Sequence, residues 1–180
     1  MKHRVVVSEQ LPPVASRLAD WYEGADLLDS FAVQLPAHHG GDIRAIGHAV
    51  FDEAEPWVKL LLSLRDRIVA PIGLRTSGDM RKSRPDRDQI GFFEILAESA
   101  TEIVVGDDDT HLSFRLSLLI QREGQDGRRL IATTAVKCHN LLGSAYLAVI
   151  RPFHRLVIRS RLRRAMTIDL SLQPSRADRV

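Results

Sequence analysis

Paired histidines, a triple aspartate and a run of arginines are the residues whose types invite chemistry in this chain. His38 and His39 are adjacent within HHGGD, a spacing that does not turn two imidazoles toward one metal in any regular element. They read as a solvated turn. Asp107, Asp108 and Asp109 precede His111, and clustered oxygens beside an imidazole can hold a divalent cation. The spacing is not that of an EF-hand loop, and aspartate tolerates turn dihedrals, so an acidic β-turn explains the cluster and no metal is expected. In His139-Asn140, the asparagine suits a helix N-cap and the histidine a wet strand face. His154 is either an acid or base at the edge of a cavity or a packing histidine. Cys138 reads as a small core filler. Phosphate-loop, dinucleotide, zinc-protease and nucleophile-elbow motifs are all absent, and no cofactor is expected.

Such residues need a scaffold, and the composition describes one. With 180 residues, of which 44% are hydrophobic, the chain fits one globular domain. Its net charge of +2 is small for a nucleic-acid binder, although a pI near 9.0 leaves room for a local basic surface. A single cysteine excludes an internal disulfide framework and suits the cytoplasm. The N-terminus holds only the short apolar run Val5 to Val7, too little for a secretory signal. The run Ala145 to Ile150 stops at Arg151, whereas a membrane span needs about 20 apolar residues, so no span is expected.

Periodicity assigns the elements. Asp29 to Pro36 is a strand in which Phe31, Val33 and Leu35 alternate with polar or small neighbours. Ile43, Ile46, Val50, Phe51 and Ala54 repeat at helical spacing after the Gly40-Gly41-Asp42 turn, and Pro56 opens a second helix with Trp57, Leu60, Leu61, Leu64 and Ile68 on one stripe. Arg75 to Gly91 is a charged loop, a lid if a pocket lies beneath it. Then the period changes to two. Phe93 and Ile95 mark one strand and Ile103 and Val105 the next. From His111 to Gln121, Leu112, Phe114, Leu116, Leu118 and Ile120 form an inner face, opposite a largely wet one. Arg129 to Asn140 sets Leu130, Ala132, Thr134, Val136 and Cys138 on one face.

From Gly143 onward the chain reads as one long helix. At about 100° per residue, Leu142, Tyr146, Val149, Ile150, Phe153 and Val157 share one side, while Arg151, Arg155, Arg159 and Arg163 lie opposite. Pro152 should bend it. No Asp or Glu occurs from Gly127 to Ile168, so these arginines need acidic company or open water. Asp52, Glu53, Glu55, Glu94, Glu98, Glu102 and the Asp107 to Asp109 turn are the internal choices; phosphate, anionic lipid or a partner protein are the external ones. The helix carries no aromatic platform on its basic side, so nucleic acid is not expected as a partner.

The order strand, helix, helix, antiparallel strands, long helix predicts an α+β fold of the helix-grip, START-like kind, with a curved antiparallel sheet closed by its last helix. Residues 26–166 would form the domain, 1–25 an N-terminal extension and 167–180 a tail.

Three blocks carry a resemblance: PWVKLLLSLRDRIVAPIGLRT (Pro56 to Thr76), IGFFEILAESATEIVVGDDDTHLSFRLSLLI (Ile90 to Ile120) and TTAVKCHNLLGSAYLAVIRPFHRLVIRSRL (Thr133 to Leu162). Together they resemble a bacterial family known as domain of unknown function 2867, over most of the chain after residue 25. Some members of that family carry the domain behind a dehydrogenase-like domain, so the resemblance implies a dehydrogenase-like protein as one partner. It implies no catalytic residue.

Three function classes follow, in this order. The first is a binding module for a small apolar or amphipathic ligand, its pocket between sheet and last helix lined by Trp57, Leu61, Phe93, Phe114, Leu116, Thr134, Tyr146, Val149, Phe153 and His154. The second is an interaction domain that docks Arg151, Arg155, Arg159 and Arg163 on an acidic partner or a second copy of the chain. The third is an enzyme in the same pocket, with Tyr146, His154 or Asp109 moving protons.

Overall fold

The computed structural model describes residues 5–36, 42–51, 88–91, 93–124 and 127–167. Seven strands form one antiparallel sheet: β1 (Val7–Glu9), β2 (Leu27–Gln34), β3 (Gln89–Ile90), β4 (Phe93–Glu98), β5 (Glu102–Asp108), β6 (Leu112–Glu123) and β7 (Gly127–Cys138), in the order β1-β2-β7-β6-β5-β4-β3. Among the described residues two α-helices accompany them, α1 (Ile43–Phe51) and the 25-residue α2 (Leu141–Ala165). The result is the expected α+β architecture of a curved antiparallel sheet with a long C-terminal helix packed on it.

Strict alternation sets the register. Strands β6 and β7 form a hairpin paired from Glu123↔Gly127 to Leu112↔Cys138, and β2 lies along β7 from Leu27↔Val136 to Gln34↔Arg129. Because side chains alternate with period two, opposed residues share a face. Phe31, Val33, Leu116, Leu118, Leu130 and Ala132 therefore face the helices together. They join Ile46, Val50 and Phe51 of α1 and Ile158, Leu162 and Ala165 of α2 in the main core. The first short helix thus forms as its spacing predicts. The second, Pro56 to Ile68, lies outside the described residues, as do His38, His39, most of the charged loop and the tail beyond residue 167. The end of the predicted loop, Gln89–Ile90, is strand β3.

The opposite face of the sheet corrects one expectation. Ser113, Ser117 and Leu119 of β6 are buried rather than wet, and Ser16 of the N-terminal segment lies against Ser117. Strand β1 pairs with β2, and Leu18, Trp21 and Tyr22 pack with Val104, Ala135 and Leu28 on this outer face. Residues 5–25 are a layer of the fold rather than an extension. The physical reason is in the alternate phase of the strands. Val104, Leu119, Ile131 and Ala135 are apolar, and a sheet apolar on both faces must be covered on both.

Helix α2 corrects a second expectation. Asn140 caps it as predicted, its side chain accepting a hydrogen bond from the Gly143 N–H at 3.0 Å, and the helix runs through Pro152. Its sheet-facing stripe is Gly143, Leu147, Ile158, Arg161, Leu162 and Ala165, with Ile150 and His154 half-buried between. Val149 and Phe153, expected inside, are 58% and 46% exposed, as are Leu141 and Leu156 to similar or greater extent. The real stripe lies about one residue, roughly 100°, around the helix from the expected one. Arg161 and His154 hide it in the sequence, because a charged and a titratable residue stand where apolar ones mark a buried face. Arg161 is buried because its guanidinium donates to the carbonyl of Phe51, the last residue of α1, at 3.1 Å. By length and composition alone α2 is apolar enough to cross a membrane. Here its stripe lies on α1, β2, β7 and β1.

Candidate functional site

The inner face of the sheet holds two apolar clusters, not one. Beside the main core, Leu27, Leu112, Val136 and Leu147 form a second cluster, with Phe114, Cys138, Tyr146 and Ile150 packed against it. Between the two runs a row of polar side chains. On β2, Asp29 separates Leu27 from Phe31; on β7, Thr134 separates Val136 from Ala132; on α2, His154 separates Ile150 from Ile158. Two periods meet here. Asp29 and Thr134 are directly opposed in the β2–β7 register, while His154 arrives from above at the helix's own spacing.

This belt is buried and poorly satisfied. The Asp29 side chain is 1% exposed, and its Oδ1 lies 3.4 Å from His154 Nε2, close enough for charge pairing but outside hydrogen-bonding geometry. Neither Asp29 oxygen, nor Thr134 Oγ1, nor His154 Nε2 has a hydrogen bond. Buried polar atoms are nearly always bonded, and an orphan costs about 1–3 kcal/mol, more for a charged group. Four such atoms, on three residues, lie between the two apolar clusters.

The surroundings balance charge. Glu9 of β1 accepts from Arg159 at 3.3 Å and lies 3.4 Å from Arg155, and the Arg159 guanidinium sits 5.0 Å from the centre of the Phe31 ring. These helix arginines do meet an acid of their own chain, as one sequence reading allows. It is Glu9, however, and not one of the acids that the sequence suggests. Among those, Glu98 clasps Arg44 together with Asp88, Asp108 holds Arg115 at 2.9 Å, and the buried Glu102 accepts from Ser16, Ser117 and the Arg17 N–H at 2.5, 2.6 and 2.9 Å. Arg151 and Arg163 stay exposed.

Of the other residues singled out, Phe93 stacks edge-on with Phe51 at 5.4 Å and with Phe114 at 5.5 Å, Leu116 is in the main core, and Tyr146 is half-buried at the second cluster. The structure thus brings Phe93, Phe114, Leu116, Thr134, Tyr146 and His154 to the inner side. It leaves Val149 and Phe153 outside, and Trp57 and Leu61 fall outside the described residues. Asp29 is the residue that sequence reasoning missed. It is the acidic neighbour of His154, whereas the sequence names Tyr146, His154 or Asp109 as proton-transfer groups and leaves Asp29 out. Its phase was readable, since Asp29, Phe31, Val33 and Leu35 fall on one side of the strand.

A second histidine contact lies on the outer face, where His139 Nε2 is 2.9 Å from Ser113 Oγ. A serine within reach of an imidazole can be an activated nucleophile when a third group orients the base. Here Asp108 bonds to the serine and to Arg115, which hold its carboxyl below the usual aspartate range, so the acid stands on the wrong partner. Asp109 accepts from the Thr110 N–H at 2.6 Å, the expected turn role. Burial, with the Asp26 carboxylate second, pushes the Cys138 thiol up, away from reactivity. Among the described residues no group of three or more His, Cys, Asp or Glu side chains is placed to hold a metal ion.

Fold and belt together define a sheet-and-helix domain with a buried, unsatisfied polar row between two apolar clusters. The family profile for a protein of unknown function, DUF2867, matches residues 21–161, and the chain belongs to that family. No curated protein and no solved structure matches the chain. The matched span contains Asp29, Thr134 and His154, while β1 and Ser16 precede it.

Proposed function

We propose that the protein binds a small, largely apolar molecule between the sheet and α2, oriented by Asp29, Thr134 and His154. One observation carries this reading: an enclosed carboxyl group with no hydrogen bond to either oxygen, flanked by apolar clusters on both sides. Ligand sites combine mostly apolar walls with a few convergent polar groups, and the belt supplies such groups. Phe93, Phe114, Leu116 and Tyr146 remain wall residues in this reading, whereas the exposed Val149 and Phe153 do not. The single cysteine, kept as a thiol, suits a cytoplasmic setting.

The exposed side of α2 favours a second reading. Leu141, Val149, Phe153 and Leu156 are exposed apolar residues on a helix that also presents Arg151 and Arg163, and a second copy or a dehydrogenase-like protein would cover them. Native mass spectrometry of freshly purified protein, beside a denatured sample, separates the two. A reproducible non-covalent adduct that Asp29→Asn releases supports the binding module. A bare mass with salt-sensitive dimers supports the interaction domain and overturns the first reading.

A further inference from the structure

The polar belt also constrains the chemistry of its ligand, an inference that rests on the binding reading above. We infer that the ligand is uncharged and places a single hydroxyl between Asp29 and Thr134, with its apolar body along the two clusters.

The four buried polar atoms of the belt lack a hydrogen-bond partner. Asp29 has two acceptor oxygens without donors, and Thr134 Oγ1 has neither a donor nor an acceptor. The two residues are directly opposed across β2 and β7, so their Cβ atoms stand roughly 5 Å apart on one face. A hydroxyl set between such side chains donates to the carboxyl and accepts from the threonine. One group thus meets an Asp29 oxygen and the Thr134 hydroxyl together.

Charge excludes the other common heads. Close to the belt stand two acids, Asp29 and Glu9, and two arginines, Arg155 and Arg159, whose guanidinium groups already face Glu9. Among the described residues these acids and arginines balance in number. A carboxylate head would sit against Asp29, where like charges in a poorly solvated place repel, and would need an arginine taken from Glu9. An ammonium head would pair with Asp29 but add a cation beside two arginines and His154. The walls on either side, Leu27, Phe31, Ala132 and Val136, are apolar and offer no counter-ion.

The test uses three probes of equal chain length, 1-octanol, octanoate and octylammonium, titrated by calorimetry into the full-length protein. The expected result is binding of 1-octanol at least about tenfold tighter than either ion. Thr134→Val, nearly the same shape, should weaken 1-octanol by about tenfold and by more than it weakens octanoate, with the melting temperature confirming that the variant is folded. Tightest binding by octanoate or octylammonium overturns the hydroxyl inference and leaves the binding reading standing. No binding by any of the three overturns the binding reading itself. Equal weakening of all three probes by Thr134→Val shows a packing role for the threonine and overturns the bridging hydroxyl.

Discussion

Asp29 is expected to cost the fold stability, because its side chain is buried and neither carboxyl oxygen accepts a hydrogen bond. A buried carboxyl gives up its hydration, and at 3.4 Å without hydrogen-bonding geometry His154 returns little of it. Asp29→Asn keeps the shape and removes the charge. The expected outcome is a gain of about 1 kcal/mol in unfolding free energy, read as a higher urea midpoint with an unchanged slope. A loss above about 2 kcal/mol would show that Asp29 and His154 form a structural ion pair. Glu102, equally buried, predicts the opposite sign. Its carboxylate accepts from two hydroxyls and a backbone N–H, and Glu102→Gln turns an NH2 toward donors. Here about 2 kcal/mol should be lost, with Trp21 emission shifting red as the segment it anchors loosens. Much of the belt was legible in the sequence. Thr134 and His154 stand out by type, and Asp29 by phase. Missing was the long-range register that brings β2 beside β7, which no local pattern encodes.

At the scale of the element, alternation was the more reliable guide and helical phase the less. Strands β6 and β7 alternate apolar and polar residues over many positions, so their inner face could be read directly. Helix α2 carries apolar residues around much of its circumference, and packing chose the side on which Arg161 could reach the end of α1. Gly143 shows how closely the helix start approaches the sheet. A Cβ there would run into the His111 carbonyl oxygen and approach the Cys138 side chain. In an isolated helix Gly→Ala stabilises by about 1 kcal/mol. In this protein Gly143→Ala should instead destabilise by about 2 kcal/mol, because α2 must shift to avoid a backbone oxygen. A thermal melt decides the sign. A raised melting temperature would mean that the first turn of α2 yields easily, and that the second apolar cluster is held more loosely than its burial indicates.

At the scale of the molecule, the sheet is a layer covered from both sides, and its two covers come from opposite ends of the chain. Helix α2 closes the inner face. The segment from β1 to Tyr22 closes the outer one, tied down by Glu102 and braced within itself by the Tyr22 hydroxyl, which donates to the Pro13 carbonyl at 3.0 Å. Strand β1 connects these covers, since Glu9 reaches Arg155 and Arg159 of α2. A chain beginning at Asp26 keeps every residue of the belt and nearly all of the family span, and a boundary drawn from strand and helix patterns would place the start there. Its behaviour is predicted to be poor. Removing residues 1–25 exposes Val104, Ala135 and Leu28, leaves Glu102 buried among apolar neighbours without its Ser16 and Arg17 partners, opens the backbone edge of β2 and frees two arginines on α2. An uncovered apolar sheet face with a free edge strand aggregates or binds hydrophobic dyes. Size-exclusion chromatography and dye fluorescence, compared with the full chain, should show association and bright staining. A monodisperse, cooperatively melting fragment would instead place the stability of the domain wholly on the α2 side, with the N-terminal layer no more than a cover.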